Sequence, residues 1–202
     1  MRAETEARVE AFRLALELAA GERSGEPVPH LWRNDLKAFP RGCCELASQT
    51  LVRYLMDHDD KLFPYVIATD WIENTVERGH VFVALDGDYI DLTLDQFDGY
   101  DDRIVVEPVE SGGQMGALLQ KVRNLEGSIT TRKVTLDVIP GDGHRLYGWL
   151  KATADSLLAA AGQNVKPERS PALVSRNIHP DYRDWPNTPS SPSADHGDRK
   201  GK

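Results

Sequence analysis

Residues 79–97 read GHVFVALDGDYIDLTLDQF, and their pairing decides the fold. Two runs rich in β-branched and aromatic residues, 79–85 and 88–94, flank Asp86-Gly87. An Asp-Gly pair between such runs signals a two-residue hairpin turn. With that turn Leu85 opposes Asp88, Ala84 opposes Tyr89, Phe82 opposes Asp91 and His80 opposes Thr93. Opposed residues share a face of the sheet. His80, Phe82, Tyr89, Asp91 and Thr93 then lie on one side, and Val81, Val83, Ile90 and Leu92 on the other. His80 and Asp91 become diagonal neighbours within reach of a polar contact. The second face is apolar throughout, so it belongs to the core, or else the sheet is covered on both sides. In the latter case His80 and Asp91 point towards the helix that carries the cysteines. A three-residue turn would send Asp91 to the opposite face.

Outward from the hairpin, helical periodicity recurs at both ends of the body. Val9, Phe12, Leu16 and Ala19/Ala20 are spaced for a helix over 5–20 that stops at Gly21. Residues 25–40, broken by Pro27, Pro29 and Pro40, read as loop. A second helix is predicted over 44–57, with Ala47, Thr50, Leu51, Tyr54 and Leu55 inward. Further strands are expected at 63–70, at 103–108 and within TRKVTLDVI (131–139). A helix over 114–125 lies between the last two. Another follows at 146–161, with Leu146, Trp149, Leu150, Ala154 or Ala152, and Leu157/Leu158 inward. Helices, then a strand meander, then a helix indicate an α+β domain with an antiparallel sheet. The body spans 1–162. Residues 163–202 hold six of the twelve prolines and read as a Pro/Ser-rich flexible tail. Ile178, Tyr182 and Trp185 offer anchors that would dock this tail on the body or on a protein partner.

Composition narrows the function classes. Of 202 residues, 40% are apolar and 28% charged, and 24 Lys plus Arg stand against 32 Asp plus Glu, a net charge of -8. Such a chain lacks the basic footprint of a nucleic-acid binder or of a protein recruited to anionic membranes. No apolar run approaches the roughly 20 residues of a membrane span. Four Glu within the first twenty residues exclude a secretory leader there, so a cytoplasmic location is expected.

The two cysteines, Cys43 and Cys44, are adjacent, and neighbours rarely bridge each other. Cys44 follows the loop Pro40-Arg41-Gly42 and falls in the first turn of the second helix. Unpaired amides and the positive end of the helix dipole gather there and favour an anion. A thiol in that place is a better nucleophile, and the same amides can hold an oxyanion. On its own, a buried packing cysteine is the commoner reading. The hairpin shifts the balance, because a helix-start thiol joined by a His and an Asp on neighbouring strands is a Cys-His-Asp arrangement.

FPRGCCELASQTLVRYL (39–55) followed by 79–97 resembles the transglutaminase-like branch of the papain-like cysteine enzymes. Small bacterial relatives of that branch carry a Phe-Pro-x-Gly-x-Cys segment, a His-led strand and an Asp-x-Thr-x-x-Gln-Phe segment. The resemblance spans about 60 residues, from Phe39 to Phe97. It implies a nucleophile at Cys44 rather than Cys43, a base at His80 and an orienting acid at Asp91. Thr93, Gln96 and Phe97 complete the last motif. It also implies a papain-like core with the nucleophile helix packed on an antiparallel sheet. The implied chemistry is thiol-dependent acyl transfer or hydrolysis on an amide bond of a peptide or protein, with no cofactor. Two positions depart from the pattern: Val81-Phe82 stands where Ala-Trp is common, and Cys43 where small residues such as Ser are usual.

Other readings have less support. Cys43, Cys44, His58 and His80 offer no CxxC or HxxxH spacing for zinc. The acidic groups Asp57-His58-Asp59-Asp60 and Asp98–Asp102 lack the EF-hand pattern and read as solvated loops. Ser48, one turn beyond Cys44, lines the site or packs the helix. A non-catalytic binding or regulatory module on the same scaffold is the alternative to an enzyme.

Overall fold

The computed structural model describes residues 1–21, 36–70, 79–136 and 143–162. The expected tail at 163–202, with Ile178, Tyr182 and Trp185, lies outside the described residues, as do 22–35 of the expected loop. In chain order the elements are α1 (Ala3–Ala20), α2 (Cys44–His58), β1 (Tyr65–Asp70), β2 (Gly79–Leu85), β3 (Asp88–Asp91), β4 (Val105–Pro108), α3 (Gln114–Asn124), β5 (Ser128–Arg132) and α4 (Gly143–Gly162). The five strands form one sheet in the order β4-β3-β2-β1-β5, and every neighbouring pair is antiparallel. The α+β class with an antiparallel sheet is therefore as the sequence implies.

The hairpin has the expected turn. Asp86 and Gly87 both take positive φ, 52° and 86°, as a tight turn matched to the strand twist demands. Leu85 pairs with Asp88 and Ala84 with Tyr89. The expected pairing of His80 with Thr93 does not form, because β3 ends at Asp91. The Asp91 carboxylate accepts the Thr93 N–H at 2.7 Å, and this local turn pulls the chain out of the ladder. A short 3-10 turn, Leu94–Gln96, follows.

The sheet is buried on both faces. Val66, Ala68, Val81, Val83, Ile90 and Leu92 join one core with the inward residues of α1, α2 and α4, including Phe12, Leu16, Leu51, Tyr54 and Leu146. Ile67, Phe82, Ala84 and Tyr89 are buried outside that cluster, as are Met115, Leu118, Leu119 and Val122 of α3. Helix α3 packs against β1, β4 and β5. Glu107 of β4 fixes its start by accepting the Met115 and Gly116 amides at 2.8 and 3.1 Å. On α4, Leu146, Leu150 and Ala154 are buried, Trp149, Leu157 and Leu158 are half-buried, and Ala152 is exposed.

The last strand is displaced from the expected 131–139. β5 spans Ser128–Arg132, and the chain then leaves the sheet. Gln49 of α2 is the cause. Its amide oxygen accepts the Thr135 N–H at 2.9 Å and its nitrogen donates to the Lys133 carbonyl at 3.2 Å. Backbone groups that would extend a ladder are thus stapled to a helix; residues 137–142 lie outside the described ones.

Gly79 tests the β1–β2 register. A Cβ there would stand 2.6 Å from the Thr69 carbonyl oxygen, a backbone atom that cannot rotate away. Gly79→Ala is expected to lower stability by about 1–3 kcal/mol, read as a drop in the denaturant midpoint. A midpoint equal to wild type would contradict the Asp70–Gly79 pairing.

Candidate functional site

Helix α2 starts where the chain is forced to turn. Gly42 takes φ +68°, a left-handed conformation suited to glycine. Cys43 then caps the helix, its carbonyl accepting the Ala47 N–H at 2.8 Å. The two cysteines part here. Cys43 is buried in the core and its thiol donates to the Arg41 carbonyl at 3.4 Å. Cys44, the first helical residue, is half-buried.

His80 and Asp91 are both fully enclosed and hydrogen-bonded to each other, His80 Nε2 to Asp91 Oδ2. The second carboxylate oxygen accepts the Thr93 N–H and, at 3.3 Å, the Thr93 hydroxyl. Asp91 therefore has both oxygens fixed. The backbone of His80 is held by Thr69, whose Oγ1 accepts the His80 N–H and donates to the His80 carbonyl, each at 3.2 Å. Phe97 meets the imidazole edge-on, with centroids 5.0 Å apart, and Phe82 stacks at 6.1 Å.

Cys44 completes the group. Its thiol lies close enough to the imidazole to raise the ring's affinity for a proton. Asp91 occupies Nε2, and Gln96 approaches Nδ1 from the other side of the ring. Burial alone would lower the affinity of His80 for a proton. The Asp91 charge and hydrogen bond overcome it, with a smaller contribution from Cys44, and raise the pKa to about 10. The three sequence-predicted residues thus converge from α2, β2 and β3. The body of α2 lies over the Val81–Val83 face rather than over His80 and Asp91. Only its N-terminal end needs to reach the imidazole.

Two further residues shape the site. Gln96 bridges its halves: Oε1 accepts the Gly42 N–H at 3.1 Å, while Nε2 donates to the Thr93 carbonyl at 2.9 Å and stands 3.2 Å from His80 Nδ1. The sequence places Gln96 only in a motif and gives it no contact. Arg13 of α1 has no place in the sequence reading. It is buried, donates to the Leu92 carbonyl and to both Asp95 oxygens (3.2 and 2.7 Å), and lies 4.5 Å from the Phe39 ring centroid. One guanidinium thereby ties the segment after Asp91 and the loop before Cys44 to the same helix. The signal was present: Arg13 falls between Val9 and Leu16 on the inward stripe.

Other candidates resolve as scaffold. Ser48 donates to the Val81 carbonyl at 2.9 Å and so packs α2 on β2. Asp57 and His58 are not a solvated loop, as the sequence suggests. Asp57 accepts the Tyr147 hydroxyl at 2.6 Å, and His58 and Tyr54 meet Asp155 at 2.8 and 2.9 Å, fastening α2 to α4. Among the described residues no helix is long and apolar enough to cross a membrane.

The chain is 48% identical over 131 residues to the uncharacterized protein YuaU of Escherichia coli strain K12, and 47% identical over 131 residues to YuaU of strain UTI89. Each match covers 65% of this chain and 58% of the relative's length. No family model matches the chain, and no solved structure does.

The raised His80 pKa has a signed consequence for stability. The ordinary imidazole value is 6.5 and the folded value about 10. The charged imidazole thus stabilises the fold in full below pH ~6.5, and this contribution fades as pH rises towards the folded value. The stability gap between wild type and Asp91→Asn should narrow between pH 7 and pH 10, measured as denaturant midpoints. A gap independent of pH would show that His80 carries no extra charge in the fold.

Proposed function

We propose that this chain is a cysteine enzyme of papain-like, transglutaminase-like type that transfers or hydrolyses an acyl group at an amide bond of a peptide or protein. The observation that carries this reading is the meeting of a half-exposed helix-start thiol with a buried imidazole–carboxylate pair, from three separate elements.

The chemistry follows from the geometry. With the proton on His80 Nδ1, the Cys44 thiolate attacks the amide carbonyl carbon and a C–S bond forms. The negative charge passes to the carbonyl oxygen, where the helix-start amides, including that of Cys44, stabilise it. The tetrahedral centre collapses, the C–N bond breaks, and the imidazolium gives its proton to the leaving amine. A thioester on Cys44 remains. Water or an amine, deprotonated by His80, then attacks the thioester carbon; the C–S bond breaks, the Cys44 sulfur leaves and recovers the proton from the imidazolium, and the product is a carboxylic acid or a new amide. Asp91 holds the imidazole orientation and offsets its charge at each stage. The thiol–imidazole–carboxylate set is common to both outcomes, so peptidase, amidase, deamidase and transglutaminase activities share it.

Thiol reactivity tests this reading without a known substrate. Iodoacetamide at pH 6 should alkylate Cys44 faster than it alkylates free cysteine, and His80→Ala should slow the reaction by about tenfold or more. Cys43 should remain unlabelled until the protein unfolds. Equal rates for Cys44 and free cysteine, unchanged in His80→Ala, would favour the non-catalytic binding module. Cys44→Ser should leave the unfolding free energy from denaturant titration within about 1 kcal/mol of wild type. Collapse of the fold would make Cys44 a packing residue.

A further inference from the structure

Gln96 lies in a buried position with three polar contacts that determine which way its amide points. Exchanging its oxygen and nitrogen would set NH2 against the Gly42 N–H and the oxygen against the Thr93 carbonyl. Donor would face donor and acceptor would face acceptor, so Nε2 must be the atom at His80 Nδ1. An N–H aimed at Nδ1 can bond only a bare nitrogen lone pair. It therefore favours the neutral imidazole that keeps its proton on Nε2, towards Asp91, and it opposes a proton on Nδ1.

Among the described residues, the titratable groups facing the imidazole are Asp91 from β3 and Cys44 from α2, and the rings of Phe82 and Phe97 pack against it. Both titratable neighbours draw a proton onto the ring. An imidazole held only by them would be a strong base and a reluctant acid. The proposed cycle needs both functions, since the proton taken from the thiol must later reach the leaving amine.

We propose that Gln96 is a positioning residue that fixes the His80 tautomer with a bare Nδ1 and eases proton release from the imidazolium, counterbalancing Asp91. Through Oε1 the same side chain holds the loop before the nucleophile in register with the base. The inference rests on the acyl-transfer reading for its purpose but not for its readout.

The test is nitrogen-15 NMR of the histidine rings in the full chain, with His80 assigned by its loss in His80→Gln. The wild type at high pH should show a protonated Nε2 and a bare Nδ1. Gln96→Glu keeps the size and the acceptor for Gly42 but places a carboxylate oxygen at Nδ1. It should move the His80 titration up by about one pH unit or more. Gln96→Leu, which removes the donor without adding charge, should move it up by less. Backbone amide spectra report whether each variant keeps the fold. Titrations that superimpose in wild type and both variants, or a downward shift in Gln96→Glu, would overturn the inference. An unreactive Cys44 alongside the predicted order of titrations would instead sink the enzyme reading and leave the role of Gln96 standing. A reactive Cys44 without that order would do the reverse.

Discussion

A carboxylate and an imidazole taken wholly out of water are tolerable only when each satisfies the other. Asp91 and His80 do so, and each has further partners: Thr93 for the carboxylate, Thr69 for the histidine backbone. Breaking one side of such a pair leaves an uncompensated buried charge, which costs about 3–5 kcal/mol. The pair consequently constrains its surroundings. It requires the two-residue turn at Asp86-Gly87, because a slip of one residue would carry Asp91 to the other face. It also requires β3 to stop at Asp91, so that the next residues can turn back onto the carboxylate.

The rest of the site is arranged around that pair by groups outside the hairpin. Arg13 reaches from α1 to the segment that follows Asp91 and lies against Phe39 of the loop that precedes the cysteines. Gln96 connects that loop to the imidazole directly. Neighbouring cysteines then fall into different environments. Cys43 sits in the core as a capping residue with its thiol turned to a local carbonyl, while Cys44 sits at the open end of the helix against His80. Adjacent positions at a helix start necessarily diverge, so one thiol can pack while the other stays available.

Much of this is legible in the sequence, for reasons that are local. The Asp-Gly turn and period-2 alternation place His80 and Asp91 side by side, and the breakers Pro40 and Gly42 start a helix at Cys44. The parts that are not legible depend on distant partners. β3 is shorter than its apolar run because a side chain–backbone bond outcompetes the ladder. β5 ends at Arg132, short of its β-branched run, because Gln49, far away in sequence, takes the backbone groups of 133 and 135. Burial of the second sheet face depends on α3, whose packing partners are set by the tertiary fold. Arg13 is hidden among apolar neighbours, since periodicity ranks a charged residue as exposed until a carboxylate and a carbonyl are known to await it.

The most direct measurement is covalent. A peptide aldehyde carrying carbon-13 at the carbonyl, added to the folded protein, should form a thiohemiacetal whose sulfur maps to Cys44 by mutation and mass spectrometry. The adduct should be lost in Cys44→Ser and weakened in both His80→Ala and Asp91→Asn. An adduct that forms equally well without His80 or Asp91, or none at all on the folded wild type, would contradict the account.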